Sequence, residues 1–260
     1  MTAHRYRAFW HGVGETFPDL AGARSTQQYR ADEKWLLRTL LGDLQDLRLL
    51  KTDLWDECKN TRILQWAAGE GAVALGIDLS PPIVRDAGAR FAEDGLALRA
   101  TVADVRAIPL RDGTVDAVYS MGTIEHFEET QHALTEIYRV LRPGGRAVVG
   151  VPNRRDPFLR PAFVALLHAL GRYGYGYEKS YSRRTLRRML ERAGFEIGAE
   201  TGILFLPGWL RMAELACHAW LPRLRPASSL AVAPFAALSA QFPGLRRHGY
   251  LLAALGRKPC

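Results

Sequence analysis

The chain has 260 residues, 48% of them hydrophobic, and carries 35 Lys and Arg against 27 Asp and Glu, a formal net charge of +8. That is enough apolar material for one sizeable core, while Cys58, Cys217 and Cys260 show neither paired nor CxxC spacing, which argues against a disulfide framework or a zinc site and for a cytoplasmic setting. No apolar run follows the charged start, and none approaches the roughly 20 residues needed to cross a bilayer, so neither export nor a membrane span is expected.

Charge is uneven. Residues 1–153 hold 18 Lys and Arg against 21 Asp and Glu, a net −3, and residues 154–260 hold 17 against 6, a net +11. A basic C-terminal part suits an anionic partner such as a lipid surface, a phosphate-bearing substrate, an acidic carrier or nucleic acid, or else is a solvated basic face.

Residues 1–24 have no clear period. From Gln27 to Leu50, Trp35, Leu36, Leu40, Leu41, Leu44 and Leu47 recur at helical spacing, which predicts an amphipathic helix and makes residues 1–46 an N-terminal helical cap. The apolar run from Leu47, ending at Thr52 and Asp53, predicts the first strand. Asn60 is placed to cap a helix whose face is Ile63, Leu64 and Trp66–Ala68. Ala72–Asp78 then reads as a buried strand ending on a carboxylate. Ser80 follows as an N-cap, with Pro81 and Pro82 suited to a helix's first turn.

The rhythm repeats through a helix at 83–93, strands at 96–102 and 115–121, a helix at 130–141 stopped by Arg142-Pro-Gly-Gly145, and a strand at 146–151. Strands alternating with helices at this spacing predict a mostly parallel sheet with helices on both faces. Residues 47–260 form the main domain in this reading, with insertions at 154–182, rich in Arg, Gly and Tyr, and at 203–242, apolar and broken by prolines. Between and after them come a helix at 183–193, a strand from Phe195 and a last strand at 249–256.

In an open α/β sheet the carboxyl ends of the strands border the ligand crevice, and an acid at the tip of the second strand can accept from both hydroxyls of a ribose. Asp78 is that acid, or else a solvated aspartate in a turn. The ordered set Gly76-Ile-Asp-Leu-Ser-Pro81, Ala103-Asp-Val105, Val115-Asp-Ala-Val-Tyr-Ser120, Ile124-Glu-His-Phe127 and Leu141-Arg-Pro-Gly-Gly145 resembles the class I S-adenosylmethionine-dependent methyltransferases, including the quinone-biosynthesis type. The resemblance covers roughly residues 48–153 and, more weakly, 183–202 and 249–256. It implies a doubly wound, seven-stranded, Rossmann-like methyltransferase fold with S-adenosylmethionine as cofactor. In that frame Asp78 holds the ribose hydroxyls, Asp104 takes the adenine amino group, the backbone of Val105 contacts the ring, and Leu79 and Met121 complete the cofactor-binding set.

One departure stands out. The family's first strand usually runs into GxGxG, where missing side chains let the backbone approach the methionine part of the cofactor. Gly69 and Gly71 cannot be that motif, because only six residues separate Gly71 from Asp78, too few for a crossover helix and a strand. Placing the turn at 49–57 leaves 25 positions between Asp53 and Asp78, close to the roughly 20 of related nucleotide folds, but supplies no glycine. Lys51, Thr52 and Asp53 are then expected to act through side chains, with Asp53 near the cofactor's ammonium.

Sulfonium methyl transfer needs no metal and no covalent intermediate, only donor and nucleophile held in line with water excluded. His126 lies where an acceptor would meet the methyl group, as a general base or as a residue holding its loop. The remaining histidines, His4, His11, His132, His168, His218 and His248, have no ligand spacing. The expected partner is a small, apolar or lipid-like acceptor, admitted under a lid built from both insertions, with peripheral contact at an anionic membrane surface. Arg211, Arg223 and Arg225 supply basic flanks.

Rival readings remain. A dehydrogenase would want GxGxxG after the first strand, which is absent. A nucleic-acid methyltransferase would suit the basic half, yet no Asn/Asp-Pro-Pro-aromatic motif follows the fourth strand. A degenerate relative acting as another protein's partner would explain the glycine-free turn.

Overall fold

The computed structural model describes residues 3–260, and of residues 3–5 and 7 the backbone alone. His4 therefore lies outside the described side chains. Seven strands, β1 (Arg48–Lys51), β2 (Val73–Asp78), β3 (Leu98–Val102), β4 (Val115–Met121), β5 (Leu141–Pro152), β6 (Glu196–Ile203) and β7 (Leu251–Arg257), form one sheet in the order β3-β2-β1-β4-β5-β7-β6. The pairs from β3 through β5 are parallel, and β7 runs antiparallel to both β5 and β6.

Period-two alternation sorts the strand side chains into two apolar layers. Leu49, Ala117, Tyr119, Val148 and Leu255 face one layer, completed by α2 (Arg24–Leu41), α4 (Ile63–Gly69) and α5 (Pro81–Glu93). Leu50, Val118, Ala147, Val149 and Leu252 face the other, completed by α6 (Thr130–Val140) and α8 (Arg183–Arg192). The doubly wound sheet expected from the sequence is the one observed. α1 (Ala3–Thr16) contacts α5. α7 (Arg160–Ala169) lies in the first insertion, and α9 (Gly208–Trp220) and α10 (Arg225–Gln241) fill the excursion between β6 and β7.

Local differences have identifiable causes. The helix expected to reach Leu50 stops at Leu41, where Gly42 turns the chain at φ +72°, a conformation glycine adopts without strain. Asn60 does not cap α4. It donates to Asp56 at 2.6 Å and accepts from Thr26 at 2.9 Å, while the carboxylate of Glu57 takes the open amides of Leu64 and Gln65 at 3.0 Å each. An acid placed just before the helix thus does the N-cap's work and complements the helix dipole. Ser80 stands at the N-cap of α5, but its hydroxyl makes no capping bond.

The strand order reverses between β1 and β4, and this switch point opens a crevice at their carboxyl ends. The turn after β1 runs through Leu54 into α3 (Trp55–Lys59). A Cβ on Gly76 of β2 would come within 2.5 Å of the Leu54 side chain, so a glycine on the neighbouring strand is what lets this turn pack.

Candidate active site

The crevice is lined by residues of the strand ends together with residues of both insertions, among them Tyr173, Glu178, Leu204 and Arg211. Its floor is made by Thr52, Asp53, Asp78, Leu79, Val105 and Met121, contributed by the ends of β1, β2, β3 and β4.

At the end of β1 the side chains form a chain of hydrogen bonds. Thr52 Oγ1 donates to Ser120 Oγ at 2.8 Å, and Thr123 Oγ1 donates to Asp53 Oδ2 at 2.8 Å. Lys51 points under the turn, with no exposed surface, and donates to Asp53 Oδ1 at 3.0 Å, the Asp53 carbonyl at 2.9 Å and Asp56 Oδ2 at 3.4 Å. Glu57 lies 3.9 Å away. Burial opposes the Lys51 charge, but the surrounding carboxylates outweigh it and hold the ammonium protonated. Burial pushes Glu57 up to about 7, against the pull of Lys51 and the two helix amides. Lys51 is therefore the counter-ion of a buried acidic cluster, not the cofactor contact expected of it; its side chain is spent on holding Asp53 in place.

Asp78 accepts the backbone amides of Leu54 at 2.9 Å and Ser80 at 2.8 Å. Burial raises its carboxyl to about 6 despite those two donors.

His126 follows β4 in a single 3-10 turn, Ile124–His126. Its Nδ1 lies 2.8 Å from the carbonyl oxygen of Tyr177. A carbonyl only accepts, so Nδ1 carries the hydrogen and Nε2 presents a lone pair. The ring of Trp10 meets the imidazole edge-on at 4.9 Å. Burial lowers the His126 pKa below the ordinary 6.5, opposed by the charge of Glu178. Glu125 beside it is buried, has an unpartnered Oε2, and its pKa is pushed well up by burial and then by Glu178, which favours the protonated form.

Above the floor, Arg160 at the start of α7 lies 2.7 Å from Glu178, and the Tyr173 phenol donates to the same carboxylate. Burial opposes ionisation of Glu178, yet Arg160 outweighs it and lowers the pKa. Arg160 also stacks 4.2 Å over Tyr250. Tyr175, Arg211 and Tyr29 close this side of the crevice.

The sequence profile of the methyltransferase domain family matches residues 58–149. A demethylmenaquinone methyltransferase of Thermus thermophilus is 38% identical over 128 residues, covering 44% of this chain and 58% of that protein. A probable S-adenosylmethionine-dependent methyltransferase of Mycolicibacterium smegmatis is 32% identical over 179 residues, covering 61% and 60%. Residues 58–149 thus match a methyltransferase domain, and the chain is similar to S-adenosylmethionine-dependent methyltransferases. It spans about three fifths of the length of these curated relatives. A putative sarcosine dimethylglycine methyltransferase from Galdieria sulphuraria shares the fold at a TM-score of 0.64 and 16% identity, covering 98% of this chain and 97% of that one.

The crevice gathers Thr52, Asp53, Asp78, Leu79, Val105, Met121 and His126. Asp104 is not brought in. Its flanking residues Ala103 and Val105 line the crevice, but its carboxylate is gripped by Arg106, with contacts of 2.7–3.2 Å, and Arg106 also reaches Glu129. An aspartate whose oxygens already accept a bidentate guanidinium has less capacity left for an adenine amino group. The residues that sequence reasoning missed are Glu125, Arg160, Tyr173 and Glu178, and Arg211 was read only as a basic flank. Among the described residues no cluster of His, Cys, Asp or Glu is arranged to hold a metal.

Proposed function

We propose that this chain transfers the methyl group of S-adenosylmethionine to a small, apolar acceptor of the aromatic or lipid-like kind. The observation that carries the reading is His126: a buried imidazole with its Nε2 lone pair free, in the same crevice as Asp78 and the end of β1. The residues fit the cofactor. Asp78 would accept from the ribose hydroxyls, the backbone at Val105 would meet the adenine, and Asp53 would stand near the ammonium.

S-adenosylmethionine supplies an electrophilic methyl on sulfur. At Nε2, His126 would take the proton that the acceptor's nucleophilic atom gives up, with Tyr177 fixing the tautomer. Glu125, when protonated, would donate a hydrogen bond to an oxygen of the acceptor. Trp10, Tyr173 and Tyr175 would exclude water, so orientation supplies most of the rate. In this reading residues 1–46 act as a cap, contributing Trp10 and Tyr29, and the insertions 154–182 and 203–242 act as the lid. The name of the Thermus relative supports an acceptor ring bearing an apolar tail.

An apolar acceptor also supports docking at an anionic lipid surface. Residues 220–227, Trp-Leu-Pro-Arg-Leu-Arg-Pro-Ala, are all exposed at the corner between α9 and α10, and no acid occurs after Glu214. Among the described residues no helix is long and apolar enough to cross a membrane, so contact would be interfacial.

The glycine-free turn favours one competing reading, a fold that has lost its cofactor and serves as a partner protein. Calorimetry with S-adenosylmethionine separates the two: binding supports the enzyme, and its absence supports the partner. Mass spectrometry of a cell extract treated with the protein and methyl-labelled cofactor would then identify the acceptor.

A further inference from the structure

Arg211 is 7% exposed and lines the crevice, yet among the described residues it has no carboxylate within ion-pair reach, and its Nη1 has no hydrogen-bond partner. Its guanidinium lies 5.3 Å over the ring of Tyr29. The other buried cations of the site are compensated, Lys51 by Asp53 and Asp56 and Arg160 by Glu178. A buried charge left alone is costly and persists where a ligand supplies its partner.

A second unpaired donor lines the same crevice. Trp55, the first residue of α3, lines the crevice, and its indole Nε1 is buried without an acceptor. Its ring packs on Tyr175 at 6.1 Å between centroids, and the charge of Arg211 acts on the phenols of both Tyr175 and Tyr29. The charges of Asp56 and Asp53 act on Tyr29 too. A cation and an acid thus converge around one aromatic ring.

That convergence suits an α-amino acid, whose ammonium and carboxylate leave the same carbon and need opposite charges a few ångströms apart. Two of the turn's backbone amides are already committed. Its Thr52 amide is bonded to the Tyr119 carbonyl at 3.2 Å and its Leu54 amide to Asp78 at 2.9 Å. Building on the methyltransferase reading above, we propose that Arg211 of α9, with the indole N–H of Trp55, binds the carboxylate of the cofactor's amino-acid end. An arginine from the insertion between β6 and β7 thereby replaces the donors that a glycine-rich turn would offer, and the lid is tied to the cofactor.

Calorimetry on the full chain with two probes tests this: S-adenosylhomocysteine, which keeps the amino-acid end, and 5′-methylthioadenosine, which has the same nucleoside without it. Arg211→Met should weaken S-adenosylhomocysteine about 10- to 100-fold, as expected for a lost charge-assisted hydrogen bond, and leave methylthioadenosine unchanged. Arg211→Lys should recover part of the loss, and Trp55→Phe should weaken the first probe alone. Because the charge lacks a counter-ion in the ligand-free protein, Arg211→Met should melt no earlier than wild type, which separates lost binding from misfolding. Equal losses for both probes, or no loss for either, would overturn the assignment, as would unchanged nucleoside binding with a raised KM for the acceptor. Wild-type protein that binds neither probe would instead sink the methyltransferase reading on which it rests.

Discussion

Oδ2 of Asp78 accepts the backbone amide of Leu54 at 2.9 Å, joining the tip of β2 to the turn after β1. The acid assigned to the ribose is therefore also a strut, and its remaining acceptor capacity is what a ligand would use. Asp78→Ala should weaken S-adenosylhomocysteine by about 2–3 kcal/mol, measured by calorimetry. Unchanged affinity would reject the ribose assignment.

The same carboxyl gives cofactor binding a pH dependence. Burial raises Asp78 to about 6, so affinity should hold at neutral pH and decline as pH falls through that value. Its effect on folding has the opposite sense. A carboxyl raised above its unfolded value of about 3.9 contributes stability that is complete below that pH and is lost as pH rises through the folded value. Binding titrations between pH 5 and 8 that show no such decline would count against an ionised Asp78 in the complex.

Lys51 stands among Asp53, Asp56 and Glu57 with no exposed surface. Lys51→Met should destabilise the protein by about 3–5 kcal/mol, because it strands buried carboxylates without a cation. The loss should shrink on acidification, since Asp56 and Glu57 are already raised by burial, Glu57 to about 7, and protonation relieves their repulsion. Urea unfolding at two pH values reads both effects; a small loss that ignores pH would show that the cluster tolerates its own charge.

His126→Ala should lower turnover about 10²- to 10⁴-fold with cofactor affinity retained, the range for a lost general base. Since burial holds the wild-type imidazole below 6.5, the acid limb of the wild-type pH–rate profile should fall below that value and vanish in the variant. A depressed histidine contributes folding stability above its unfolded value and loses it as pH falls, so activity and stability should decline on the same side. A variant with a wild-type profile would make His126 a support for the 177 loop alone.

At the corner between α9 and α10, Trp220 is 68% exposed and Leu221 51%. Co-sedimentation should favour anionic over neutral vesicles and weaken with salt, and Arg223→Glu with Arg225→Glu should remove the preference, each basic residue contributing about 1 kcal/mol. Equal sedimentation with both lipids would leave a soluble acceptor.

Much of the sheet was legible because hydrophobic period and strand-end acids are local signals. The 25 positions from Asp53 to Asp78 located the β1 turn even without glycine, and Gly69–Gly71 does fall at the end of α4 instead. Asn60 misled because Glu57, seven positions before Leu64, outcompetes it for the helix amides. Asp104 fitted the pattern, but Arg106 two residues on takes its carboxylate. Arg160 and Arg211 looked like surface charge; only packing of the insertions onto the strand ends buries them, and no local spacing encodes such distant contacts.

β7 sits between β5 and β6, so residues 251–257 form an interior member of the sheet. The β1–β5 half can assemble from successive βαβ crossovers as it is made, whereas β6 has no partner until β7 arrives, and α9 and α10 are the loop that those two strands must close. Arg211 rides on that loop. Closure of the crevice thus depends on the pairing of β7, and removal of residues 251–260 should leave a β1–β5 core with an open, unlidded crevice, detectable by limited proteolysis between β6 and α10.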